Sequence, residues 1–146
     1  MSPDTLGWLD ANGYCETALD IQGSYGNTAL MKASREGKVQ IVSELLGAGA
    51  DVHIKNVDGN TALWLACFSG IPEIVAMLIG SGVELNNVNV AGATSLMYAA
   101  SSGKEEMVHL LLEAGADPSI ANPDDFTALD LAATPKILRM LRKGAI

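Results

Sequence analysis

Thr28, Thr61, Thr94 and Thr127 stand 33 residues apart each time, and no other feature restricts the fold so strongly. Leu30, Leu63, Leu96 and Leu129 keep the same spacing, as do Ala33, Ala66, Ala99 and Ala132. Gly37, Gly70 and Gly103 follow, then the pairs Ile41-Val42, Ile74-Val75 and Met107-Val108. The columns stay in register without an insertion, which is the signature of a chain built from one stacked unit.

The unit can be read from elementary rules. Threonine at the head of "TALMKAS" is placed to cap a helix, accepting a free backbone N–H and stabilising the start by ~1 kcal/mol. Leu30 and Ala33 share one face of that short helix, and Gly37 ends it in a left-handed turn. Ile41, Val42, Leu45 and Leu46 form the apolar stripe of a second helix, closed by Gly49. The stretch "ADVHIKNVDGN" then predicts a hairpin turning at Asp58-Gly59. A helix, turn, helix and hairpin of this size bury little alone, so the units must stack.

The columns resemble the ankyrin repeat, whose pattern is best matched by Asp58-Gly59-Asn60-Thr61-Ala62-Leu63-Trp64-Leu65-Ala66 and by Gly49-Ala50-Asp51-Val52. The resemblance covers roughly residues 14–142. It implies an all-α solenoid of stacked helix-turn-helix units with projecting β-hairpin loops. The expected organisation is one domain over 1–146: an N-terminal cap 1–23, repeats 24–56, 57–89 and 90–122, and a C-terminal cap 123–146. Leu6, Trp8 and Leu9 predict a short first helix ending at Gly13. In the C-terminal cap Pro135 shortens the turn, and Leu138, Met140 and Leu141 supply the apolar face. Three departures stand out. The family's proline is Ala29, Ala62, Ser95 and Ala128; its histidine is Met31, Trp64, Met97 and Asp130; and Asp125 occupies a turn-glycine position.

Charge bears on partners. Residues 1–134 hold all seventeen acids against five bases (Lys32, Arg35, Lys38, Lys55 and Lys104), while Lys136, Arg139, Arg142 and Lys143 close the chain. An acidic body repels phosphate backbones, so nucleic acid is not an expected partner. The basic end reads as compensation of a helix dipole. No apolar run reaches the eighteen or so residues of a membrane span, and no signal peptide opens the chain. The expectation is a soluble protein of the cytoplasm, without membrane association and monomeric when unbound. Cys15 and Cys67 are too few and too far apart for a disulfide framework or zinc site.

No catalytic set converges, so neither an enzyme nor a cofactor is expected. His53 lies in a loop column and His109 faces solvent on a second helix, while Cys67 occupies a small-residue column with Ser34, Ala100 and Ala133. Binding is different. The resemblance implies that hairpin tips and first helices form a concave partner-binding face. Its positions here are Tyr25, Asn27, Lys32, Arg35, Val57, Asp58, Asn60, Trp64, Leu65, Phe68, Tyr98, Ser101 and Phe126. Five of the seven aromatics fall on this set, and exposed aromatics and arginines anchor interfaces. Trp64 is the one expected to be more core than contact, Tyr25 and Phe68 the reverse. The expected function is a non-catalytic interaction module (adaptor, inhibitor or targeting factor) for another protein of basic or mixed charge. The alternative is a substrate of an ankyrin-directed asparaginyl hydroxylase, with Leu78, Glu84, Leu85 and Asn86 at the matching spacing.

Overall fold

In the computed structural model, which describes residues 1–144, helices begin directly after Thr28, Thr61 and Thr94. The element order is α1 (Pro3–Ala11), α2 (Ala29–Glu36), α3 (Val39–Gly47), α4 (Ala62–Ser69), α5 (Pro72–Gly80), α6 (Ser95–Ser101), α7 (Glu105–Glu113) and α8 (Pro135–Gly144). The threonines are not equivalent. Thr28 Oγ accepts from Met31 N at 3.3 Å and Thr94 Oγ from Met97 N at 3.2 Å, whereas Thr61 makes no such capping bond. Gly37 and Gly70 end α2 and α4 in the left-handed region, at φ 72° each, where a side chain would be strained.

Two layers of helices result. α2, α4 and α6 pack in sequence, and behind them α1, α3, α5, α7 and α8 do the same. Each pair α2–α3, α4–α5 and α6–α7 closes one unit. The core is aliphatic: Leu30, Leu63 and Leu96 from the first layer meet Val42, Leu45, Ile74, Leu78, Val108 and Leu111 from the second, all buried. Met31 and Met97 are fully buried in the column where the family carries histidine, so apolar packing fills that place in two repeats.

Among the described residues there is no strand, and the loops take a different form from the expected β-hairpins. Each closes across its base by one backbone bond (Gly23 N to Asn27 O, Asn56 N to Asn60 O, Asn89 N to Ala93 O and Asn122 N to Phe126 O, at 2.8–3.0 Å) and turns on a second, such as Gly59 N to Asn56 O at 2.9 Å. Successive loops are joined by single bonds, Val57 N to Tyr25 O and Val90 N to Asp58 O, both at 3.0 Å. Pro123 occupies the next donor position and has no N–H to give. One bond between neighbouring loops is too few to build a ladder.

The ends depart from the 33-residue register. α1 stops at Ala11, buries Leu9 and Thr5, and is capped by Ser2, whose Oγ accepts from Thr5 N at 3.3 Å. Glu44 of α3 ties this helix down, accepting from Ser2 N and Ser2 Oγ and, at 2.8 Å, from Thr5 Oγ. At the other end the expected first helix after Thr127 is reduced to one turn, Leu131 N reaching Thr127 O at 3.2 Å. Asp130 accepts from both Thr127 N and Thr127 Oγ, reversing the threonine's expected role. α8 starts at Pro135 behind Thr134, which accepts from Ile137 N at 3.1 Å. Ile137 and Leu141 are its buried residues, with Leu138 and Met140 half-buried beside them. Residues 145 and 146 lie outside the described residues.

Candidate interaction groove

Tyr25 sits at the tip of the first loop with φ 59°, a conformation unusual for a residue with a Cβ, and is 72% exposed. Its carbonyl is fixed by Val57 N, and the turn beneath it by Gly26 N donating to Gly23 O at 3.0 Å. Phe68 on α4 is 50% exposed, with the Arg35 guanidinium carbon of α2 lying 5.7 Å from its ring centre. These three residues line two adjoining grooves of about 500 and 340 Å³. The larger runs from the end of α1 past Tyr14 and Lys32, and the smaller continues past Asp58, Trp64 and Leu65.

The structure sorts the sequence-predicted residues into three groups. Tyr25, Lys32, Arg35, Asp58, Trp64, Leu65 and Phe68 line one or both grooves. Asn27 and Asn60 also border them, yet both are buried, at 8% and 5% exposure, and their side chains are engaged within the fold. Asn27 Oδ1 accepts from Asn56 Nδ2 at 2.9 Å, and Asn60 Oδ1 from Asn89 Nδ2 at 3.1 Å. Val57, Tyr98, Ser101 and Phe126 line neither groove. Val57 and Phe126 are exposed on loop tips, Ser101 is exposed at the end of α6, and Tyr98 is half-buried. Tyr98 packs on Trp64 with ring centres 4.6 Å apart, so Trp64, half-buried, is wall as much as contact.

Charge is arranged differently from the acidic face that composition suggests. The charged residues lining the two grooves are Lys32, Arg35, Glu36 and Asp58, two of each sign. Glu36 is committed: Lys32 Nζ lies 3.1 Å from one carboxylate oxygen and Trp8 Nε1 donates to the other at 3.1 Å. Partial burial opposes ionisation of Glu36, but the hydrogen bonds from Lys32 and Trp8 prevail and hold its pKa below the ordinary value. The acids instead populate the second helices, as in Glu73, Glu105 and Glu106, and the loops.

Two sets of residues escaped the sequence reading. Trp8 and Tyr14 stack with ring centres 6.3 Å apart, and Tyr14 lines the larger groove, donating its hydroxyl to Asn27 O at 2.9 Å. Burial, with the nearby Glu36 charge, raises the Tyr14 pKa. The other set is Asn56, Asn89 and Asn122, whose Oδ1 atoms each accept two loop N–H groups at 3.0–3.1 Å. Their own 33-residue spacing was the available signal.

Other titratable groups are dispersed. His53 is exposed, with its backbone N–H on Asp51 Oδ1 at 2.8 Å, and His109 pairs with Glu113 at 3.4 Å in solvent. Cys67 is buried and Cys15 exposed. Asn86 is half-buried, its Oδ1 accepting from Asp117 N at 2.8 Å, the same job that Asp20 does for Asp51 N at 2.9 Å. Among the described residues no helix is long and apolar enough to cross a membrane.

A search of curated proteins finds no match. The family model for ankyrin repeats, in three copies, matches residues 3–89, 30–122 and 73–145, overlapping windows that take in both capping ends. With the recurring columns and the two-layer stack, this places the chain in the ankyrin-repeat family.

Proposed function

We propose that this protein is a non-catalytic interaction module that holds a partner protein in the groove between its first loop, α2 and α4. Ankyrin repeats generally mediate protein–protein interaction. The observation that carries the assignment to this face is that two exposed aromatics, Tyr25 and Phe68, line the same grooves, bordered by the internally bonded Asn27 and Asn60. Aromatic side chains held in place give contact area at little entropic cost, which is how interface anchors work. The balanced charge of the lining suits a partner of mixed charge.

Capture from an extract of the native host tests this reading. The wild-type chain, a Tyr25→Ala/Phe68→Ala double variant, an Arg35→Gln variant and a Glu73→Ala control would be immobilised after far-ultraviolet circular dichroism shows equal helix content. Proteins retained by the wild type and the control but lost from the double variant support the groove. Equal retention by all four overturns it.

Hydroxylation of Asn86 has less in its favour, because the bond to Asp117 N already accounts for asparagine there. The gain of one oxygen in intact mass after incubation with an asparaginyl hydroxylase would revive it.

A further inference from the structure

We propose that Arg35 receives a carboxylate of the bound segment, so that the groove selects an acidic side chain flanked by an apolar one. This rests on the reading of the groove as the partner-binding face. Lys32 and Arg35 are the two cations lining it, and they differ in what they touch. Lys32 is neutralised by Glu36, whose second oxygen is taken by Trp8. Arg35 is exposed, and no described carboxylate forms an ion pair with it.

Among the described residues its guanidinium lies against the Phe68 ring. A ring attracts the guanidinium charge but offers no oxygen, so the five N–H donors remain for an incoming acceptor. The same contact restricts a side chain that otherwise carries much rotamer freedom, which lowers the entropy lost when a carboxylate docks. Tyr25 lines the same grooves, locked in its left-handed turn, with about three-quarters of its surface uncovered. A carboxylate on Arg35 would thus have two aromatic surfaces in the same grooves for its apolar neighbours.

The net charge of −8 does not oppose this at contact range. Screening at physiological salt has a length of about 8 Å, so nearby groups decide. Asp58 lies in the smaller groove beyond Arg35 and repels a second acid there. It therefore sets a direction: the acidic residue lies on the α1 side of Arg35, and the segment continues over α4 with neutral or basic residues.

An array of short synthetic peptides tests this directly. The peptides are randomised except for a central Glu, Gln or Lys flanked by Leu or Phe, and are probed with wild-type, Arg35→Gln and Phe68→Ala proteins. Wild type should retain Glu-centred peptides about tenfold better than Gln-centred ones, the strength of a charge-assisted pair. Arg35→Gln should erase that preference with an unchanged urea midpoint, and Phe68→Ala should weaken all retention. Equal retention of Glu and Gln, a preference for Lys, a Glu preference that survives Arg35→Gln, or no retention at all overturns the proposal. Extract proteins lost from the Tyr25→Ala/Phe68→Ala variant but kept by Arg35→Gln would leave the groove standing and remove only the carboxylate.

Discussion

A Cβ on Gly59 would come within 3.0 Å of the backbone nitrogen of Val90 in the next loop, and Gly59 itself holds φ 76°. Gly26 stands in the same relationship to Val57, whereas a Cβ on Gly92 would run into the ring Cδ of Pro123. Asp125 occupies the fourth position of this column with φ 65°, and no described loop packs beyond it. Glycine is therefore demanded by the following loop as well as by the backbone angle.

Gly59→Ala should destabilise the protein by about 1–3 kcal/mol, from left-handed strain plus pressure on the adjacent loop. Asp125→Gly should change stability by about 0.5 kcal/mol or less, since only the angle is at issue. Urea midpoints of the two variants check the contrast.

The loop asparagines should separate in the same way. Asn89→Ala removes two loop bonds and strands the buried Asn60 Oδ1, an expected loss of about 2–3 kcal/mol. Asn122 accepts a similar pair of N–H groups, but Ala93 stands where Asn60 does, so Asn122→Ala should cost about 1 kcal/mol. Thermal unfolding of both variants measures the difference.

Acid should release the N-terminal helix before the rest. The Ser2 backbone N–H, then the Thr5 hydroxyl, lower the Glu44 pKa from 4.5 to about 2. A depressed folded-state value means that the contribution is complete above 4.5 and fades as pH falls towards 2. The indole N–H resonance of Trp8 should shift in that window, and Glu44→Gln should flatten this part of the profile.

The two thiols should react on different schedules. Hydrogen bonding from Thr17 lowers the Cys15 pKa on an exposed loop, whereas burial pushes Cys67 up to about 12. A native protein should consume one equivalent of a thiol reagent quickly, the second only at the rate of opening. Cys15→Ser should remove the fast phase alone.

What the sequence determined by itself is the repeat, the helix starts after Thr28, Thr61 and Thr94 and the aliphatic columns, because these depend on spacing along one chain and on local rules of capping and periodicity. Leu63, Val75 and Leu78 are buried for reasons visible in their own segment. What only the tertiary structure decided depends on neighbours a whole repeat away. Asn27 and Asn60 turned inward because Asn56 and Asn89 reach them from the next loop. Trp8 closes on Glu36 across 28 residues, which consumes the carboxylate that would otherwise be free beside Arg35. An acidic chain thus acquires a groove of balanced charge in which Lys32 and Glu36 pair and Arg35 and Asp58 stay apart, a property of pairing in space that composition does not encode.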